Sequence, residues 1–196
     1  MIPRDSVIQM GYVVRRENFD DCVAFWRDAM GAGPFFFGDF RLADQTYLGK
    51  PTDVHMQIAT TYHGGVQIEL IAQTNDAPSP YLDALARHPV VPRGGLFHHI
   101  FIDVENFDET VARLVKSGVH ECYLAHVPDG GRLGYMDATE TLGCYIELMD
   151  YYLPFRESFR LMKEICAEWD GTQPDRTYTE FFAQIAASLA ETTAEG

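Results

Sequence analysis

The segment Gln9-Met-Gly-Tyr-Val-Val14 is followed by Glu17-Asn-Phe-Asp20, and the chain contains a second version of this arrangement. In that version His99-Ile-Phe-Ile-Asp-Val104 is followed by Glu105-Asn-Phe-Asp108. Each copy places an apolar run that is typical of a strand before the tetrapeptide ENFD, and a helical pattern begins directly after it. The same two elements therefore occur in the same order at two places in the chain.

A second pair of matching segments closes each half. Gly65-Val-Gln-Ile-Glu-Leu70 in the first half matches Gly143-Cys-Tyr-Ile-Glu-Leu148 in the second. Two matches in the same order are much harder to obtain by chance than one short coincidence. We therefore interpret the chain as an internal duplication, in which each copy begins with a strand and a helix and ends with a strand that carries G-x-x-I-E-L.

Helix caps and periodicity place the remaining elements. The Asn or Asp of each ENFD motif can accept the free N–H groups of a first helical turn. The first helix is predicted to run to Met30 and the second to end at Gly118, each with apolar residues at spacings of three and four. The other strands are predicted at about 35–41, 54–62, 121–127 and 132–137.

These elements predict an α+β fold of two βαβββ modules within a domain that spans residues 1–154. Module one covers about 7–74 and module two about 96–152, and a proline-rich linker at about 75–95 joins them. From 155 to 196 the pattern is helical. We expect this C-terminal extension to pack on the core or on the second subunit of a homodimer.

Composition and charge restrict the classes of partner. The 196 residues carry a formal net charge of −14, which argues against a nucleic-acid partner and against an anionic membrane surface. No apolar run approaches the ~20 residues that span a bilayer, and the N-terminus lacks the pattern of a secretory signal. We therefore expect a cytoplasmic protein that acts on a small molecule and keeps its cysteines reduced.

Alternation along the strands separates the side chains that face the helices from those that face away. The helix face is predicted to include Ile8 in the first strand and His98 in the first strand of module two. Phe97, Phe101 and Tyr145 are predicted to lie on the opposite face. The side chains that carry the functional hypothesis share this opposite face and occupy equivalent places in the repeat: Gln9, Glu69, His99 and Glu147.

Two carboxylates that meet in a buried place repel each other and lose their hydration. A divalent cation bound by both, together with an imidazole and an amide oxygen, removes this cost. One nitrogen and three oxygen donors suit Zn, Ni, Co, Mn or Fe and leave one or two positions for water or substrate. Taken singly, each of these residues is more often an ordinary core or solvated side chain, but their matched placement favours one divalent metal site.

At these residues the sequence resembles the vicinal oxygen chelate superfamily, which includes glyoxalase I, methylmalonyl-CoA epimerase and bleomycin-resistance proteins. The resemblance covers about Ile8 to Tyr152 and is carried by the stretches IQMGYVV, VQIELIAQ, GLFHHIFIDV and GCYIELMDY. It implies tandem modules that form a cup-shaped mixed β-sheet around the metal, with helices outside. It also implies His99, rather than His98, as the imidazole ligand.

The resemblance is closer to some members of the superfamily than to others. The set Gln9, Glu69, His99 and Glu147 is similar to the ligand set of one class of glyoxalase I. No His stands where Glu69 or Glu147 does, which disfavours a ring-cleaving extradiol dioxygenase. Methylmalonyl-CoA epimerase has His at the place of Gln9 and Gln at the place of Glu69, so an epimerase of that type is a further alternative.

The expected reaction is that of a metal-dependent isomerase or lyase. Such a site polarises a carbonyl or vicinal oxygens of a small molecule and moves the adjacent proton through an enediolate. Glu147 is the first candidate for the base that moves the proton, and Glu69 is the second. A non-catalytic protein that sequesters a small molecule is the main alternative, and a degenerate structural family member is another.

The substrate pocket is predicted to be apolar or aromatic, because the chain is rich in Phe and Tyr. Arg132 could meet an anionic group of the substrate, although an Arg in a turn is more often solvated. The aromatic candidates for the pocket wall are Phe97, Phe101, Tyr135 and Tyr145, with Phe35–Phe37, Tyr151 and Tyr152 as further members.

Overall fold

The computed structural model describes residues 6–127, 131–150 and 153–194, with the backbone alone described for 191–194. A 3₁₀ turn (Arg16–Asn18) precedes the first helix, and a π-helical turn (Phe25–Ala29) continues it. The α-helices of this part of the chain are α1 (Phe19–Ala24), α2 (Pro80–Arg87), α3 (Phe107–Lys116), α4 (Leu153–Ala167) and α5 (Tyr178–Ala194). Its strands are β1 (Ser6–Val13), β2 (Phe35–Phe40), β3 (Ala43–Tyr47), β4 (Lys50–Pro51), β5 (Met56–His63), β6 (Val66–Gln73), β7 (Leu96–Asp103), β8 (His120–His126), β9 (Arg132–Ala138), β10 (Cys144–Met149) and β11 (Asp175–Thr177).

These strands form one mixed sheet in the order β11-β2-β5-β6-β1-β7-β10-β9-β8-β3-β4. The first strands of the two modules, β1 and β7, pair antiparallel at its centre. Each of them also pairs in parallel with the last strand of its own module, β1 with β6 and β7 with β10. The predicted fold of tandem βαβββ modules is therefore confirmed. The strands predicted between helix and final strand differ from β2, β5, β8 and β9 by no more than two residues at either end.

Helices α1 and α3 cover one face of the sheet, each above its own module. Ile68 and Leu70 of β6 pack with the residues of α1, and Ile146 and Leu148 of β10 pack with those of α3. The side chain of Asn106 caps α3 by accepting a hydrogen bond of 3.1 Å from the backbone N–H of Glu109. The strand alternation used to predict this helix-covered face is thus correct in both final strands.

The sheet is strongly curled, and the connection between β2 and β3 shows this. β2 lies beside one edge strand and β3 beside the other, yet only Arg41 and Leu42 separate them in sequence. Three Cα–Cα steps span at most about 11 Å, so the two edges must approach each other. The face turned away from α1 and α3, which we call the concave face, therefore encloses a narrow interior.

The linker and the C-terminal extension fill much of the concave face. Tyr81 of α2, Phe159 and Met162 of α4 and Phe181 of α5 belong to one core cluster with side chains of the concave face, including Tyr135. The extension is helical apart from the connection at 168–174 and from β11, which pairs in parallel with β2 at the edge of the sheet. The extension thus packs on the core of its own chain, the first of the two arrangements expected from the sequence.

Two β-bulges interrupt the pairing of β1 with β7, and both change which face a side chain occupies. The register shifts between Val7 and Gln9, and Ile8 packs against the core cluster of the concave face. It shifts again between Gly11 and Tyr12, which leaves His98 of β7 without a paired residue. A bulge inserts one extra residue and so reverses the alternation on one side of it.

The faces predicted for Ile8, His98 and Phe97 are wrong for this reason. His98 lies on the concave face, where its ring is 5.6 Å from the ring of Tyr135. Phe97 lies on the helix-covered face, where its ring contacts that of Tyr12 at 5.7 Å and 37% of the residue is exposed.

Two further features concern expectations from the sequence. The cysteines are free thiols, and three of the four are buried. Among the described residues, no helix combines the length and the apolar character that crossing a bilayer requires.

Candidate metal centre

Three polar side chains, from β1, β6 and β10, converge on Nε2 of His99 in β7. Oε2 of Glu147 lies 2.9 Å from it and Oε2 of Glu69 lies 3.4 Å from it. Oε1 of Gln9 is also 3.4 Å away. The structure thus brings together all four residues that the repeat singled out. The nearest donor atoms of Glu69, His99 and Glu147 all lie within 4.8 Å of one another.

The strand register explains why these side chains meet. Gly11 of β1 lies opposite His99 of β7 and beside Glu69 of β6. A Cβ atom built on Gly11 would lie 1.8 Å from Cε1 and 2.2 Å from Nε2 of His99. The imidazole therefore occupies the space directly above a glycine. A glycine inside a strand often marks such a close approach.

The site is buried and its charges are coupled. Burial lowers the pKa of His99, but the nearby carboxylates of Glu147 and Glu69 outweigh this effect and raise the pKa to about 9. Burial raises the pKa of Glu147, the proximity of His99 opposes that rise, and Glu69 adds to it. Two carboxylates against one imidazole leave an excess of negative charge in the interior, which is the condition that a cation relieves.

The donor set fits a divalent metal. Oε2 of Glu147 is buried and lies 2.9 Å from Nε2 of His99, in a group that also includes the carboxylate of Glu69. Two carboxylates close together in a largely buried site are costly unless positive charge offsets them. Metal–ligand bonds of about 2.0–2.2 Å place neighbouring ligands roughly 3.0–3.5 Å apart, which is close to the separations around His99. One imidazole nitrogen and three oxygens suit borderline to hard cations.

The amide of Gln9 is held in the orientation that such a site requires. Its Nε2 donates a hydrogen bond of 2.7 Å to Oε1 of Gln67, the neighbouring residue on β6. Nε2 of Gln67 in turn donates to Sδ of Met162 at 3.2 Å. The amide oxygen of Gln9 is therefore the atom turned toward His99. Through Met162, helix α4 of the C-terminal extension packs directly on this amide pair.

On the other side of the site, His98 and three tyrosines form a buried aromatic cage. The ring of His98 lies 4.7 Å from that of Tyr145 and 5.1 Å from that of Tyr81. Tyr81 donates a hydrogen bond of 3.1 Å to the hydroxyl of Tyr135, whose ring is 5.1 Å from His99. Burial holds the pKa of His98 well below its ordinary value, and the adjacent His99 lowers it further.

Three of the residues predicted for the substrate pocket are buried on the concave face: Phe101, Tyr135 and Tyr145. Phe101 stacks on Phe159 of α4 at 5.8 Å, so the C-terminal extension covers it. Tyr145 accepts a hydrogen bond of 2.5 Å from Arg87 of α2.

The further aromatic candidates for the pocket wall lie in different places. Phe35 and Phe37 pack with α1, whereas Phe36 lies on the concave face. Tyr151 and Tyr152 are outside the described residues.

Arg132 and Phe97, which were predicted for the substrate pocket, lie away from the concave face. Arg132 binds Asp150 at 2.8 Å and Asp108 at 2.7 Å, and its guanidinium lies 4.5 Å above the ring of Phe107 in the cluster below α3. The N–H groups of Arg132 therefore help to hold α3 on β9. Phe97 is displaced to the helix-covered face by the bulge at His98.

Sequence reasoning missed three residues that support the site: Gly11, Gln67 and His98. A glycine in the middle of β1 and a second glutamine on the face of Glu69 were signals that could have been read. His98 carried no such signal, since the bulge that turns it inward depends on pairing with a distant strand.

Comparison with known proteins identifies the family. A family model described as the Glyoxalase/Bleomycin resistance protein/Dioxygenase superfamily matches residues 8–135. The matched region includes Gln9, Glu69 and His99 and ends before Glu147. No functionally curated protein matches the chain.

Solved structures with a similar fold share little sequence. A hypothetical protein from Bacillus halodurans is 15% identical with a TM-score of 0.48, and the match covers 76% of this chain and 96% of that one. Methylmalonyl-CoA epimerase from Mycobacterium tuberculosis is 18% identical with a TM-score of 0.48, over 78% of this chain and 93% of that one. Both TM-scores lie below 0.5, so neither likeness supports a conclusion about this chain.

Proposed function

Because this chain belongs to the Glyoxalase/Bleomycin resistance protein/Dioxygenase superfamily, we propose that it is a metal-dependent isomerase or lyase. One divalent metal would be held by Gln9, Glu69, His99 and Glu147. The observation that carries the proposal is the convergence of oxygens of Gln9, Glu69 and Glu147 on Nε2 of His99 in the interior of the protein. Zn, Ni, Co, Mn and Fe all suit this donor set.

In the proposed reaction, the metal and the protein side chains would have different roles. A bound divalent cation supplies Lewis acidity, which polarises a carbonyl or a pair of vicinal oxygens and makes the neighbouring C–H acidic. Glu147 is the first candidate to take that proton, because its carboxylate is buried 2.9 Å from Nε2 of His99 and a carboxylate beside the cation can act as a general base. Glu69 is the second candidate for the general base. Its side chain is 13% exposed, compared with 9% for that of Glu147.

We expect the substrate to be a small molecule whose oxygen atoms can bind the metal. Tyr135 and Tyr145 present aromatic rings on the concave face beside His99 and His98. Such rings favour a substrate with an apolar or aromatic portion. The substrate must also carry a hydrogen on the carbon next to its carbonyl, because the proton transfer removes it.

The experiment is proton exchange on metal-loaded protein. The chain is stripped of metal, reloaded separately with each candidate cation, and mixed in D₂O with a panel of 2-oxo thioesters and acyl-CoAs. Exchange of the hydrogen next to the carbonyl is followed by NMR. We expect exchange with at least one substrate, and we expect Glu147→Gln to lower its rate by about 100-fold or more while some metal is retained.

A matched control is Glu140→Gln, which removes a carboxylate from the exposed turn before β10. This variant should keep the full exchange rate. Unchanged exchange in Glu147→Gln would rule out the base assignment.

A non-catalytic binder is the second candidate, and the description of the matching family, which includes bleomycin resistance proteins, is what favours it. Binding of aromatic compounds by metal-free protein, with no proton exchange under any metal, would support the binder over the enzyme.

A further inference from the structure

We propose that His98 is a positioning residue: it accepts a hydrogen bond from Nδ1 of His99 and so leaves Nε2 of His99 free for the metal. The inference rests on the proposed function, because it concerns how one ligand of the proposed metal is oriented. It concerns a residue that contacts neither the metal nor the substrate.

The contact between the two histidines is direct. Nδ1 of His98 lies 3.0 Å from Nδ1 of His99, and the two residues are 2% and 0% exposed. This distance is that of a hydrogen bond between ring nitrogens. Two Nδ1 atoms can form such a bond only when one carries a proton and the other presents its lone pair.

Metal binding decides which of the two carries the proton. Nε2 of His99 is the atom that faces Glu69 and Glu147, so it is the atom that would bind the cation. A neutral imidazole that binds through Nε2 keeps its proton on Nδ1. Nδ1 of His98 must therefore be the acceptor, and His98 must carry its own proton on Nε2.

Groups that accept the second N–H of a ligating histidine fix the tautomer and the orientation of the ring. That role is usually filled by a carboxylate or a backbone carbonyl. Here a second imidazole takes that place, and the bulge in β7 makes this possible because it turns two consecutive side chains toward the same face.

Stacking holds the His98 ring in the accepting position. Its ring lies between those of Tyr145 at 4.7 Å and Tyr81 at 5.1 Å, tilted by 34° and 35° from them. The His98 ring also makes a polar contact with the backbone carbonyl of Pro80 in α2, which opposes the lowering of its pKa. A carbonyl can only accept a hydrogen bond, so this contact is compatible with a proton on the His98 ring and with Nδ1 of His98 as the acceptor toward His99.

The test compares two substitutions of His98. His98→Phe keeps an aromatic ring between the tyrosines but removes the acceptor, and His98→Gln keeps an acceptor oxygen without the ring. Zn²⁺ dissociation constants are measured by competition with a chelator. We expect His98→Phe to bind Zn²⁺ about 10–100-fold more weakly than wild type and His98→Gln to recover a large part of that loss. His120→Phe, the same change at an exposed residue that begins β8, should leave the affinity unchanged.

Long-range ¹H–¹⁵N NMR of the Zn²⁺-loaded wild type gives an independent readout. It should show His99 protonated at Nδ1 and His98 protonated at Nε2 with an unprotonated Nδ1, and this measurement decides the matter alone if His98→Phe fails to fold. Equal affinity of wild type and His98→Phe, or a proton on Nδ1 of His98 in the loaded protein, would overturn this inference while leaving the metal site intact. A wild type that binds none of the candidate metals would overturn the proposed function and this inference together.

Discussion

The imidazole of His99 lies directly over Gly11, whose absent Cβ would sit 1.8 Å from Cε1 of that ring. Gly11 and His99 are paired residues on the antiparallel strands that join the two modules. The central ligand of the proposed metal site is therefore placed by a gap in the facing strand, at the seam between the duplicated halves.

Gly11→Ala is predicted to displace His99 and weaken the metal site. The new methyl group would overlap three atoms of a fully buried ring, so the ring must move. We expect Zn²⁺ affinity to fall at least tenfold, which is about 1.4 kcal/mol, and the free energy of unfolding to fall by about 1–3 kcal/mol. Gly65→Ala is the matched control, because a Cβ there meets nothing within 4 Å. Full affinity in Gly11→Ala would show that the ring position is not fixed by this contact.

Gln67→Leu is predicted to loosen the metal site through Gln9. Without Gln67, the buried amide N–H groups of Gln9 lose their acceptor, at a cost of about 1–3 kcal/mol in the free energy of unfolding. Zn²⁺ affinity should fall, but by less than in Gln9→Leu, because the Gln9 oxygen is still present. Met162→Leu serves as the control, since it keeps the volume and removes only a weak sulfur acceptor. Affinity in Gln67→Leu equal to that of wild type would contradict the orienting role.

Metal affinity is predicted to rise with pH. Burial lowers the pKa of His99, but Glu147 and Glu69 raise it to about 9, so near neutral pH the metal-free histidine holds a proton that the cation must displace. Release of one proton makes the affinity rise about tenfold per pH unit until the pH reaches the pKa of His99, and level off above it. Calorimetric titrations from about pH 6.5 to 9.5 check this. A pH-independent affinity below pH 8 would show that His99 is not protonated in the metal-free site.

Arg132→Gln is predicted to affect stability and not the metal site. The side chain holds Asp108 and Asp150 and lies over Phe107, while a third of it is exposed to solvent. The loss should be about 1 kcal/mol of unfolding free energy, measured by urea denaturation. Zn²⁺ affinity and any proton-exchange activity should stay at wild-type values. A tenfold loss of activity with unchanged stability would restore Arg132 to the substrate pocket.

The repeat and the alternation of side chains were enough to predict the fold and to select a set of polar residues that the structure brings together. Ile68 and Ile146 lie below the helices and Glu69 and Glu147 point the other way, because neither β6 nor β10 contains a bulge in its pairing with its parallel neighbour. In an unbroken strand the period of two is set by covalent geometry alone, so sequence determines the face.

The predictions for His98 and Phe97 failed because a bulge arises between strands and not within one. The extra residue in β7 is defined by its pairing with β1, which lies about ninety positions earlier in the chain. No local pattern in Phe97-His98-His99 reveals it. The same limit applies to Ile8, the extra residue in β1.

The sequence also could not predict which segments cover the concave face. β3 leaves module one to pair with β8 of module two, and Met162 of the extension reaches Gln67. Both contacts join parts of the chain that are distant in sequence, and periodicity within a segment carries no information about which distant segment will cover it.

The central claim is that Gln9, Glu69, His99 and Glu147 hold one divalent metal, and a metal titration of the purified chain tests it most directly. Zn²⁺, Ni²⁺, Co²⁺, Mn²⁺ and Fe²⁺ are titrated separately into metal-free wild type and into His99→Ala and Glu69→Ala, with His120→Ala as the control. We predict one equivalent of tightly bound metal for wild type and for His120→Ala, and loss of that equivalent in the two site variants. Binding that is absent in wild type for all five cations, or unchanged in His99→Ala, would contradict the claim.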